Sequence, residues 1–156
     1  MLISRRSIPL RALRIVTALV LGISCSGVAF AQEKLGELLD AGGKKLSKDE
    51  LVATMSGANV SYSTPTGGKA SLDFKADGSV SGSISGGGTR NYPGTTYGTW
   101  VVDDAGRLCQ ERKTRIGDYS AVDKPCGFVF LSAGQYYFSG SDSDRNSRLA
   151  QRVIKK

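Results

Sequence analysis

Three cysteines, Cys25, Cys109 and Cys126, stand in a chain of 156 residues that contains no histidine. A thiol pair can form a disulfide, hold a metal or cycle between redox states. Cys109 and Cys126 are not spaced as CxxC, and without imidazole neither a mixed Cys/His zinc set nor a Cys-His nucleophile can be assembled. The missing histidine also excludes Ser-His-Asp catalysis, HExxH sites and an imidazole general base. An enzyme would be left with carboxylates, lysine, tyrosine or a cofactor. The chain is therefore read as non-enzymatic, with no catalytic residue, no metal and no cofactor.

Other candidate constellations have bland competitors. Asp142-Ser143-Asp144-Arg145-Asn146 opens like a calcium loop, with oxygen ligands at alternate positions. Its sixth position is Ser147 where glycine is required and its twelfth is Val153 where glutamate is required, while Arg145 and Arg148 repel a cation. A solvated turn is the better reading. SGGGT (85–89) lacks the Lys-Ser/Thr ending of a phosphate loop and reads as a flexible connection. Trp100, Phe128, Phe130, Tyr136 and Phe138, with Tyr97 and Tyr137 near them, are either packed core or the lining of an interior that accepts a small apolar ligand. Arg107, Arg112, Lys113 and Arg115 form a modest basic patch, a solvated edge or a contact for an anionic glycan or lipid headgroup.

The compartment decides what the cysteines do. Arg5, Arg6, Arg11 and Arg14 precede an apolar run from Ile15 to Ile23, and Ala29-Phe30-Ala31 follows, the pattern of a secretory signal peptide over residues 1–31. The run is too short to span a bilayer, which takes about 20 residues, so no integral membrane protein is expected once the signal is removed. Ser4-Arg5-Arg6 partly matches a twin-arginine signal, and Cys25 is a lesser candidate for lipid attachment. The mature chain, 32–156, keeps 17 of the 21 basic residues and all 14 acidic ones, a net charge of +3 against +7 for the whole chain. Nucleic-acid binding thereby loses its main motive. A periplasmic location is expected, with secretion as the alternative, and there the remaining pair Cys109 and Cys126 reads as one disulfide.

These residues are carried by two kinds of segment. Residues 32–57 are leucine-rich and helical, with Ser47-Lys48-Asp49-Glu50 as a capping box, Leu46 as its staple and Gly57 as the stop; 34–41 adds a turn or two before Gly42-Gly43. From 58 to 156 the period changes to alternation with frequent turn signals. Strands are predicted over 59–64, 69–74, 79–85, 96–102, 107–113, 126–131, 135–140 and 148–156, with loops at 85–94 and 114–125 as candidate binding rims. About eight short antiparallel strands favour a meander closed into a lipocalin-like or avidin-like barrel, because closure removes exposed edges.

LSKDELVATMSG (46–57), FKADGSVSG (74–82), GTWVVDDAGRLC (98–109) and CGFVFLSAGQYYF (126–138) follow one another as in a bacterial exported family catalogued as domain of unknown function 995, which the chain resembles. Asp104-Ala105-Gly106 replaces the family's usual Asp-Gly. The resemblance implies an exported β-domain with paired cysteines and brings no activity with it. A looser resemblance, to periplasmic metalloprotease inhibitors on lipocalin-like barrels, would make 32–39 an inhibitory terminus. The expected function is a non-enzymatic cell-envelope protein that binds a small apolar ligand, an envelope polymer or a protein partner, with protease inhibition as the alternative.

Overall fold

The computed structural model describes residues 34–85 and 93–156. The segment read as a signal peptide, Cys25 within it, and Gly86–Thr89 of the glycine-rich stretch lie outside these. Helix α1 (Leu35–Asp40), strand β1 (Lys44–Lys45) and helix α2 (Lys48–Met55) precede nine further strands: β2 (Ala58–Ser63), β3 (Lys69–Phe74), β4 (Ser79–Ser85), β5 (Pro93–Val102), β6 (Leu108–Ile116), β7 (Tyr119–Asp123), β8 (Cys126–Ser132), β9 (Gln135–Ser139) and β10 (Leu149–Lys155).

Eight of the strands close a barrel. β2 to β6 form an antiparallel meander, β8, β9 and β10 form a second, and β10 returns to β2 through Val153↔Ser61, Ile154↔Val60 and Lys155↔Asn59. The last seam is short: β6 meets β8 only at Leu108↔Gly127 and Cys109↔Cys126. There the two cysteines are joined as a cross-strand disulfide, their Cα atoms 4.1 Å apart. The expected architecture of a mainly β barrel with a short N-terminal helical part and one disulfide is the one observed.

Two strands stand outside it. β1 separates the two helices and pairs with the edge of β8, Lys44 opposite Leu131. The stretch 114–125, expected as a loop, is instead mostly ladder: β6 runs on to Ile116, turns at Gly117 (φ +58°) and Asp118, and pairs back through β7. Along β6, Lys113 and Arg115 sit on one face and Arg112, Thr114 and Ile116 on the other, and Asp123 of β7 lies opposite Arg112.

The core forms two layers. Inside the barrel, Val60, Leu72, Phe74, Val80, Trp100, Val102, Leu108 and Val129 pack together, and Leu51 and Met55 of α2 close that end. The Trp100 Nε1–H donates to the Lys75 carbonyl at 2.9 Å, and its ring meets Phe74 edge-on at 5.8 Å between centroids. Outside the barrel, α1 lays Leu35 and Leu38 over Phe128, Phe130 and Tyr137. Both faces of β8 are therefore buried, which accounts for its unbroken apolar run. Across β2 and β3 the outward face is polar: Asn59 donates to Asp73 at 2.7 Å and to Ser71 at 3.1 Å.

The plug helix α2 begins as its sequence dictates. Ser47 Oγ accepts from the Glu50 N–H, and the Glu50 carboxylate accepts from the Ser47 N–H at 2.8 Å, while Leu46 and Leu51 are both buried beside it. Ser47→Ala is expected to cost about 1 kcal/mol of stability in urea unfolding, and Ser47→Asp to stay close to the parent, because aspartate is an equally good N-cap.

Turn and cap carboxylates set the acid response. Glu50 is held below its usual 4.5 by the Ser47 N–H first and the Ser47 hydroxyl next. Asp103 is held below 3.8 by the Arg107 N–H and side chain, Asp77 by the hydroxyl and N–H of Ser79, and Asp142 by Lys45. Each folded-state value lies below the unfolded one, so the unfolded chain takes up more protons at acid pH. Their contribution is complete above the ordinary carboxylate values and is lost as pH falls through the depressed ones. The melting temperature is expected to be level from about pH 7 to pH 5 and to drop below about pH 4, less steeply in Asp103→Asn.

Candidate functional site

The barrel interior is not filled throughout. A cavity of about 320 Å³ rises from Met55 of α2, walled by Val60, Leu72, Leu108, Val129 and Phe138. Ile154 adds to the wall beside Val60, and Ile84 and the Thr64-Pro65 turn border its open side. At the rim it shares Tyr62, Ile84 and Arg152 with a wider, solvent-open recess of about 780 Å³. The narrower space is the one enclosed by core side chains, and it falls at the low end of the size range of ligand pockets.

Two arginines reach it. Alternation along β6 turns Arg112 inward while Lys113 and Arg115 point out, and alternation along β10 turns Arg152 inward between Ala150 and Ile154. Arg112 is mostly buried; its Nη1–H donates to the Tyr62 hydroxyl at 3.0 Å and its Nη2–H to the Asp123 carboxylate of β7. Its Nε–H and the Gln110 Oε1 are buried and find no partner in the protein. The Arg152 guanidinium lies 4.0 Å from the centroid of the Tyr62 ring and 5.6 Å from that of Phe138. Its Nη1–H donates to the Gln151 carbonyl at 3.2 Å, and among the described residues no carboxylate pairs with it.

The electrostatics of the two differ accordingly. Burial disfavours the Arg112 charge, but the Asp123 and Tyr62 contacts outweigh it and hold its pKa above the usual arginine value. For Arg152 burial dominates, the Arg112 charge adds to it, and the pKa is drawn below the usual value. Both remain cationic at neutral pH, since guanidinium gives up its proton only in strong base. Two positive charges border the cavity, and one carboxylate, Asp123, pairs with one of them.

The residues singled out from sequence separate in the fold. Trp100 lies at the filled end, Tyr136 and Phe138 line the interior, and Phe128 and Phe130 are outside, covered by α1. Of the basic set, Arg107 is held in the hairpin turn by Asp103 at 2.7 Å, Lys113 and Arg115 are on the exterior, and Arg112 alone joins the cavity. Asp142 pairs with Lys45 and Asp144 accepts from the Asn146 N–H, so the 141–147 segment is a closed turn. Of the N-terminal segment, Lys34 forms a β-bridge to Arg148 and residues 35–39 are helical, with Leu35 and Leu38 fully buried. Sequence reasoning missed Tyr62, Gln110, Asp123 and Arg152. The signal for Arg152 was present in the alternation Ala150, Arg152, Ile154, which places a cation on the same face as two apolar residues.

Among the described residues no helix is long and apolar enough to cross a membrane. No family model, curated protein or solved structure matches the chain.

Proposed function

We propose that the protein is a non-enzymatic binding protein of the cell envelope, periplasmic in location, that takes a small, largely apolar ligand into the open end of its barrel. The observation that carries this reading is the largely apolar cavity of about 320 Å³ that opens at the Tyr62–Arg152 rim. A core built only for stability fills its interior to near-crystalline density, and a void of this size leaves its lining short of dispersion contacts that a ligand would restore. The charged groups inside support binding over catalysis, because arginines orient and neutralise anions but do not shuttle protons at neutral pH.

Native mass spectrometry of the protein purified from its own host tests this. A mass increment lost on denaturation is expected for the parent, and Ile84→Trp, which fills the mouth, is expected to lack it. Parent protein that carries no increment and takes up no apolar compound on incubation would count against the reading.

A further inference from the structure

Two guanidiniums, Arg112 and Arg152, line the cavity, and the one carboxylate that pairs with either of them among the described residues, Asp123, is committed to Arg112. The site therefore holds one cation in excess, and that cation, Arg152, is held by aromatic faces and one backbone carbonyl instead of an acid. Arg152 is half-buried at the rim, and a charge drawn partly out of water is costly unless something pairs with it. Arg112 adds a buried Nε–H that donates to nothing in the protein. Beneath these donors the wall is hydrocarbon: Leu72, Val129, Phe138 and Ile154. A free inorganic anion would satisfy the arginines and leave that wall bare, and a neutral hydrocarbon would do the reverse.

We propose that the ligand is an anionic amphiphile, a medium-chain carboxylate whose head group is held by Arg152, with the Arg112 charge beside it, and whose chain lies along Leu72, Val129 and Phe138. This rests on the ligand-binding reading above and adds the head group to it. A carboxylate matches the planar fork of a guanidinium and brings the one negative charge the site lacks. Tyr62 contributes by position: its hydroxyl fixes Arg112 and its ring carries Arg152, so both forks are set on one side of the space.

Calorimetric titration of the full mature protein with decanoate and with decanol tests this. Decanoate is expected to bind about tenfold or more tighter than decanol, the increment of a charge-assisted contact. Arg152→Met is expected to bring decanoate down to the level of decanol and leave decanol unchanged. Asp123→Asn, which removes the negative charge that neutralises Arg112, is expected to tighten decanoate severalfold with decanol unaffected; it decides the matter if Arg152→Met loses its near-ultraviolet circular dichroism. Equal affinities for the two compounds, insensitive to both variants, would overturn the head-group assignment while leaving an apolar ligand in place. Binding of neither would overturn both.

Discussion

Gly98→Val is expected to leave no folded barrel. Gly98 sits on the inward face of β5, opposite Val80 on one neighbour and Arg112 on the other. A Cβ at this position would lie 1.9 Å from the Glu111 carbonyl oxygen and 2.9 Å from the Arg112 Cα. Both are backbone atoms, so no rotamer change relieves the overlap. Gly82 in β4 has the same constraint, with 2.1 Å to the Ser71 carbonyl oxygen. Two inward glycines on adjacent strands are the means by which the sheet curls tightly enough to close. The cost is put above about 4 kcal/mol, a large share of the roughly 5–15 kcal/mol that holds a domain of this size together. Loss of the cooperative thermal transition in circular dichroism is the expected readout. Gly140→Ala is the control: nothing lies within 4 Å of its added Cβ and its φ is ordinary, so a change within about 0.5 kcal/mol is expected. A Gly98→Val protein that melts within a few degrees of the parent would refute this account of closure.

Strands and turns were legible because their signals are local. Asp77-Gly78 and Asp103 to Gly106 mark hairpins whose glycines take φ of +83° and +76°, and the capping box before α2 needs only four residues. What lay inside was less legible, because alternation separates two faces without saying which one meets the core. In Gly127-Phe128-Val129-Phe130-Leu131 both faces are apolar, and the larger aromatics turn outward because α1 covers them there. Grouping Arg112 with Lys113 and Arg115 took closeness in sequence for closeness in space, although adjacent strand residues cannot share a face. Arg152 had the appearance of a charge on a solvated terminal strand. Only the pairing of β10 with β2, a contact between the two ends of the domain, sets it against Tyr62.

That same dependence on long-range closure makes the disulfide the second large lever. Every other seam of the barrel has three or more residue pairs in register, whereas β6 and β8 share two. One of the two pairs is Cys109 with Cys126, and the flanking backbone bond runs from the Gln110 N–H to the Pro125 carbonyl at 2.9 Å. With so little ladder to hold it, this seam relies on the covalent link, which spans a separation of 17 residues. Closing a loop of that length removes about 3 kcal/mol of chain entropy from the unfolded state. The Cys109→Ser/Cys126→Ser protein is expected to melt about 10 °C below the oxidised parent. Chemically reduced parent should melt near the double variant, since both lose the same constraint. Hydrogen exchange places the loss: the Gln110 amide should become markedly less protected than amides of the β2–β3 ladder, because opening begins where the pairing is shortest. An unchanged melting temperature would mean that the two-pair seam holds on its own, and that the link is incidental to a barrel already closed by β10 and β2.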